Sequence, residues 1–267
     1  MQFARCNGQT IHFSDRPALS GNSTQPAIVL INSLGTDFRI WNDVAALLPD
    51  HRIIRYDKRG HGLSDCPPAP YSIEDHAGDL EALLEDLGIS DVVLVGLSVG
   101  GLISLALSAR RPEWVRAIVM MDTAHKIGTA EMWATRIEAI QNGGIASISD
   151  AILERWFSPD YRAGEPVSFA AYSNMLIRSP QEGYLGTCMA IRDADYTDVA
   201  RSLSVPVLCM VGSNDGSTPP DLVRSCHELI ANSRFEVVDG PGHLPCIEKP
   251  QETADLIKAF LKQNNLG

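Results

Sequence analysis

Asp91-Val-Val-Leu-Val-Gly-Leu-Ser-Val-Gly-Gly-Leu-Ile-Ser-Leu-Ala-Leu107 is the stretch on which the reading of the whole chain turns. Val92 to Val95 is apolar and β-branched, the pattern of a strand buried on both faces. Leu102, Ile103, Leu105, Ala106 and Leu107 extend the apolar run beyond strand length and are rich in helix formers. Between the two lies Gly96-x-Ser98-x-Gly100. A strand that turns at once into a helix leaves no room for side chains flanking the bend, and glycine removes them. Ser98 at the apex is then expected in a strained backbone conformation costing roughly 1–3 kcal/mol. Its hydroxyl projects off the sheet above the free N–H groups of a helix N-terminus. The pattern alone also fits a glycine-rich turn with a capping serine; the flanking strand and helix favour a nucleophile.

Outward from this unit, strands and helices alternate. Ala27 to Ile31 is an apolar strand that ends in the loop Asn32-Ser-Leu-Gly-Thr-Asp37. Trp41 to Leu48 reads as a helix, stopped by Pro49. Arg52 to Tyr56 is a strand that runs into the polar turn Asp57-Lys-Arg-Gly-His-Gly62. Ser72 opens a helix with Glu74 and Asp75 in its first turn, closed by Gly88. Val115 to Met121 is the next strand. The alternation predicts βαβ units and a mostly parallel sheet with helices on both faces, with ligands outside the strand C-terminal ends. Ser33, Asp57, Ser98 and Asp122 all fall at such ends. Upstream, Asn7-Gly8 between Phe3–Cys6 and Gln9–Phe13 signals a hairpin, and Pro17 to Gln25 reads as a loop.

From about His125 to Asp195 the strands stop and helical segments follow: Glu131 to Gln141, Ser149 to Trp156, Val167 to Ile177 and Pro180 to Ala190. This block, residues 125–195, reads as a lid inserted within one domain whose core is 1–124 and 196–267. Val205 to Val211 resumes the sheet, followed by helix Leu222 to Ile230, strand Phe235 to Val238 and helix Thr253 to Gln263.

The totals exclude several classes. A net charge of −11 argues against nucleic acid or an anionic membrane as partner. There is no apolar run of spanning length, and Met1 leads into a polar segment rather than a secretory signal. Six cysteines, Cys6, Cys66, Cys188, Cys209, Cys226 and Cys246, are scattered without C-x-x-C spacing, so no metal site is expected and a reducing cytoplasm fits. Neither G-x-G-x-x-G nor G-x-x-x-x-G-K-[ST] occurs, so no nucleotide cofactor is implied. A homo-oligomer stays open.

A serine nucleophile needs a base and an acid, in the chain order Ser, acid, His. His12, His51, His61, His76, His125 and His227 precede the last strand or lie in earlier elements. His243 alone follows it, in Asp239-Gly-Pro-Gly-His-Leu-Pro. An imidazole suits the role because its unperturbed pKa of ~6.5 lets it take and return a proton near neutrality. Two acids sit just past a strand, Asp215 in Gly212-Ser-Asn-Asp-Gly and Asp122 after Met121. The order favours Asp215, with Asp122 the alternative. The oxyanion donors are expected to be the backbone N–H groups of Val99 and Leu34.

On these motifs the chain resembles the α/β-hydrolase fold family over nearly its whole length, and more closely the bacterial 3-oxoadipate enol-lactonases. Tyr56-Asp-Lys-Arg-Gly-His-Gly62 and Gly96-Leu-Ser-Val-Gly-Gly101 carry the general likeness. Asn32-Ser-Leu-Gly-Thr-Asp37, Thr123-Ala-His-Lys-Ile-Gly-Thr129, Arg155-Trp-Phe-Ser-Pro159, Ala190-Ile-Arg-Asp-Ala-Asp195 and Gly242-His243 carry the closer one. The resemblance implies the triad Ser98, Asp215 and His243, no cofactor, and hydrolysis of an anionic enol-lactone to 3-oxoadipate. Such a substrate needs a cation for its carboxylate. Arg136 is the first candidate, one turn from Trp133 on the first lid helix; Arg39 and Lys126 are alternatives. Trp133, Trp156 and Phe157 are expected to line the lid. Rival readings are a carboxylesterase or other lactonase, a cofactor-free haloperoxidase-type or oxygenase member, and, from a different class, a slow-turnover ligand receptor.

Overall fold

The computed structural model describes residues 2–19, 21 and 24–267, so residues 20, 22 and 23 of the expected loop over Pro17 to Gln25, and Met1, lie outside it. Asn7 and Gly8 both take positive φ, 47° and 75°, the geometry of a tight hairpin turn between β1 (Gln2–Cys6) and β2 (Gln9–Arg16). Then follow β3 (Ala27–Ile31), α1 (Asn42–Ala46), β4 (Ile53–Tyr56), α2 (Ile73–Asp86), β5 (Val92–Leu97), α3 (Val99–Arg110) and β6 (Val115–Met121). After a block of helices come β7 (Val207–Gly212), α10 (Pro220–Leu229), β8 (Ser233–Val238), α11 (Pro245–Glu248) and α12 (Pro250–Gln263).

The eight strands form one sheet in the order β1-β2-β4-β3-β5-β6-β7-β8. The hairpin joins antiparallel through β2 and β4, and every pairing from β4 to β8 is parallel. β3, β5 and β7 are buried along their whole length, as strands covered on both faces must be. From β3 the chain steps one way along the sheet to β4; from β4 onward it steps the other way. Right-handed crossovers of opposite direction put α1 on one face and α2, α3 and α10 on the other. The reversal opens a crevice between β3 and β5, whose ends are paired through Ile31 and Gly96.

The helix expected over Trp41 to Leu48 begins earlier and is broken. Asp37 accepts a hydrogen bond from Arg39 N and starts a 3-10 turn, Phe38–Trp41, ahead of the short α1. The helices between β6 and β7 are α4 (Ala130–Gly143), α5 (Ser149–Trp156), α6 (Pro159–Gly164), α7 (Pro166–Ile177), α8 (Gln181–Arg192) and α9 (Thr197–Ser202). α6 and α9 were not legible in the sequence because six residues are too few to show a helical period. α9 packs against α3 and α10. Among the described residues no helix is long and apolar enough to cross a membrane.

The bend between β5 and α3 depends on absent side chains. A Cβ on Gly96 would lie 2.3 Å from Gly100 O, and one on Gly100 would lie 2.5 Å from Ile31 O. Both obstacles are backbone, which cannot turn aside. Gly100→Ala is therefore expected to destabilise the protein by about 3 kcal/mol, at the upper end for overpacking. Urea unfolding would measure it, and a loss below about 1 kcal/mol would show that α3 can shift away from β3.

Candidate active site

Ser98 stands at the bend with φ 58° and ψ −119°, a region that non-glycine residues rarely occupy. Its backbone is held on both sides. Ser98 N donates to Met121 O at 3.0 Å, and Thr123 Oγ1 donates to Ser98 O at 2.6 Å. The strain is thus fixed by β6, not by the turn alone. Val99, the first residue of α3, has an N–H without an intrahelical partner.

His243 lies in the loop between β8 and α11 and is 2% exposed. Its Nδ1 is 2.9 Å from Asp215 Oδ2. The loop is brought in by close backbone approach: a Cβ on Gly212, at the end of β7, would meet Gly242 O at 2.2 Å. Gly242 N in turn donates to Glu248 Oε1 at 2.8 Å. Asp215 is buried yet well supplied with donors. Ser217 N and Thr218 N donate to Oδ1 at 2.7 and 3.1 Å, and Thr218 Oγ1 donates to Oδ2 at 2.6 Å. Burial pushes this carboxyl up, but the His243 charge and hydrogen bond, with those from Thr218 and Ser217, outweigh it and hold it below the usual carboxylate range.

Asp122, the other acid singled out in the sequence, is also here. It has φ 47° and is completely buried. Its Oδ1 accepts from Gly212 N at 2.9 Å, while Oδ2 accepts nothing among the described residues. Burial pushes its carboxyl well above the usual range, and the neighbouring Asp215 charge adds to the effect. The two acids therefore differ: the Asp215 carboxyl is pulled down by His243 and its other donors, and the Asp122 carboxyl beside it is pushed up by burial. One ligand-type atom each from Asp122, Asp215 and His243 lies within 4.8 Å of the others. Both Asp215 oxygens already face N–H and O–H donors, an environment that suits an imidazole better than a cation.

Ser98, Asp122, Asp215 and His243 thus gather at the C-terminal ends of neighbouring strands. No hydrogen bond joins Ser98 Oγ to His243 among the described residues; such contacts in unliganded enzymes often tighten only when substrate binds. Beside them lies the loop after β3, where Leu34 N–H makes no hydrogen bond among the described residues. The helical block closes over this loop: a Cβ on Gly35 would meet Leu176 Cδ1 at 2.8 Å, Tyr184 Cε2 at 2.9 Å and Trp156 at 3.4 Å.

Residues 26–143 match the family model for the alpha/beta hydrolase fold. The chain is 32% identical over 249 residues to 3-oxoadipate enol-lactonase 2 of Acinetobacter baylyi, covering 93% of each chain. The chain belongs to the α/β-hydrolase family. Among solved structures it superposes on the enol-lactonase of Burkholderia xenovorans LB400 with a TM-score of 0.92 at 36% identity, over 98% of this chain and 100% of that one. It superposes on a thermophilic esterase of Thermogutta terrifontis with a TM-score of 0.91 at 25% identity, over 99% of each. The family's eight-stranded, mostly parallel sheet with flanking helices is the architecture described above, and hydrolytic chemistry is its common property among these relatives.

The three cations proposed from the sequence sit differently in this hydrolase. Arg136 is half-buried, with its guanidinium 4.7 Å from the centre of the Trp133 ring, and it interacts with the Tyr184 hydroxyl. Among the described residues it has no carboxylate partner. Arg39 is clamped by Asp37, Nε to Oδ1 at 2.9 Å and Nη2 to Oδ2 at 2.6 Å. It lines a cavity of about 850 Å³ with Tyr172 and Arg178, and neither Ser98, Asp215 nor His243 lines that cavity. Lys126 is exposed and paired with Asp195 at 3.0 Å. Trp133 is buried and donates from Nε1 to Ile127 O at 2.6 Å; Trp156 and Phe157 are buried as well. Tyr184, whose ring lies over Gly35, is not singled out by the sequence, because a tyrosine within a helical run reads as ordinary packing.

Proposed function

We propose that this hydrolase opens 3-oxoadipate enol-lactone to 3-oxoadipate, a reaction of aromatic compound degradation in the cytoplasm, through a Ser98–His243–Asp215 triad. The hydrogen bond from His243 to the ionised Asp215, beside a serine held at positive φ, carries the reading. Asp215 fixes the Nδ1–H tautomer and leaves Nε2 to take the Ser98 proton. The hydroxyl attacks the lactone carbonyl, and the Val99 and Leu34 N–H groups receive the developing oxyanion. Ring opening gives an acyl-enzyme and an enolate, which takes up the proton held by His243 as it ketonises; water activated by the neutral His243 then frees the product, and the proton returns to Ser98. The helical block of residues 125–195 acts as the lid and supplies the substrate pocket.

Arg136 is the group assigned to the substrate carboxylate. Unlike Arg39 and Lys126, it has no acid of its own among the described residues, and the Trp133 face and Tyr184 hold its guanidinium in place. Arg136→Ala is expected to raise KM for the enol-lactone roughly ten- to a hundred-fold, the worth of a charged hydrogen-bonded pair. A neutral ester should be spared. Equal losses on both substrates would place the carboxylate elsewhere.

The decisive experiment compares kcat/KM for the enol-lactone with that for an uncharged five-membered lactone of similar size. A strong preference for the charged substrate is expected. Preference for the neutral one would favour the second reading, a carboxylesterase, which the likeness to the Thermogutta esterase supports. Burst release from an activated ester would set either enzyme apart from a slow-turnover receptor.

A further inference from the structure

Lys58, in the turn after β4, is 1% exposed. A lysine is almost never buried unless its charge is paired. Among the described residues no carboxylate pairs with this one. Its Nζ donates to Asn32 O at 3.1 Å and to Ser33 O at 2.9 Å, both in the loop after β3. Burial pushes its pKa down to about 7, against the opposing pull of Asp57 and Asp37. A neutral amine still carries two N–H bonds, so both contacts survive loss of the proton.

Ser33 O is gripped by Thr36 as well, from Oγ1 at 2.9 Å and from N at 3.4 Å. The Ser33–Leu34 peptide is planar and trans, so its N–H points opposite to its C=O. Donors fastened to Ser33 O therefore decide the direction of Leu34 N–H, which faces away from Lys58. The next peptide is fixed independently. Gly35 N donates to His61 Nε2 at 3.1 Å, and His61 Nδ1 lies 3.1 Å from Arg59 O, which sets the Nδ1–H tautomer. Burial and the Lys58 charge hold His61 neutral. Among the described residues Leu34 N–H is left unpartnered, in the first of two successive peptides that are both pinned from the β4 turn.

We propose that Lys58 is a positioning residue for the oxyanion hole: its grip on Ser33 C=O aims Leu34 N–H at the substrate carbonyl oxygen. The proposal rests on the hydrolase reading above. Its consequence is selective. Releasing the peptide weakens binding of the tetrahedral oxyanion and leaves binding of trigonal ligands alone.

The test uses the full chain as wild type, Lys58→Met, Thr36→Val and Ser98→Ala. Each is assayed for kcat and KM on an activated ester and for affinity towards a boronic acid, which becomes a tetrahedral anion on the serine. Affinity for a trigonal carboxylate of the same skeleton and the melting temperature are also measured. Lys58→Met is expected to lower kcat about 10²-fold, the worth of one oxyanion donor, with KM nearly unchanged and boronate affinity reduced in step. Thr36→Val keeps the lysine and should show the same signature, several-fold in size. A purely structural role would lower the melting temperature and leave the ratio of boronate to carboxylate affinity unchanged; that result overturns the proposal. Should Lys58→Met fail to fold, Thr36→Val decides alone, and an unchanged ratio there overturns it equally. Turnover that survives in Ser98→Ala would instead sink the hydrolase reading itself.

Discussion

Ser98→Ala is expected to lower kcat by on the order of 10⁶, with KM little changed. The size follows from the position. In the proposed mechanism the hydroxyl at the bend is the group that forms the acyl-enzyme, and a water molecule is not held covalently in that position. Residual turnover would come from the oxyanion donors and from binding alone. Folding should be nearly unaffected. The turn is held through Ser98 N and Ser98 O, by Met121 and Thr123, and among the described residues the Oγ makes no hydrogen bond whose loss would register. Stopped-flow measurement with an activated ester should show a burst in the wild type and none in the variant. Activity within ten-fold of the wild type would place the nucleophile elsewhere.

Asp215→Asn is expected to lower kcat by about 10⁴, whereas Asp122→Asn keeps most of it. An amide at 215 can donate to Nδ1, which puts the proton on Nε2 and leaves the imidazole unable to act as base. Asparagine at 122 is expected to change little, because burial and the Asp215 charge already favour the uncharged form of the carboxyl there. Its amide oxygen can still accept from Gly212 N, and its amide group lies on the side of Asp215. The two substitutions should also part in stability. Asp122 has a raised folded pKa, so above the ordinary carboxylate range the folded state holds a proton that the unfolded state has lost. Stability then falls as pH rises through that window. Asp122→Asn should abolish this slope, and its advantage over the wild type should grow with pH in urea titrations. The reverse activity pattern, with Asp122→Asn the damaging change, would move the catalytic acid to the end of β6.

Much of this molecule is written in short-range pattern. Asn7-Gly8 specifies its hairpin because both residues accept positive φ. Ala27–Ile31, Ser149–Trp156 and Val115–Met121 have the bounds that their runs of residue types imply. Gly96 and Gly100 announce the tight bend, since only glycine lets Gly100 O and Ile31 O approach so closely. The 3-10 turn at Phe38–Trp41 was hidden because the capping interaction of Asp37 outweighed the apolar period further on.

The sequence by itself determined the alternation of strands and helices, the strained serine, and the histidine beyond the last strand. Each depends on residues only a few positions away. Which charge meets which was decided by the tertiary structure alone. Asp122 and Asp215 both stand just past a strand, yet Asp215 hydrogen-bonds His243 while burial pushes the Asp122 carboxyl up. Arg39 and Lys126 are quenched by Asp37 and Asp195, while Arg136 has no acid beside it among the described residues. Lys58, which any local reading would leave in solvent, lies under a loop 25 residues away in sequence. The physical reason is that a charged group's state is set by its burial and its nearest partners in space, and those arise only once the sheet has brought distant segments together.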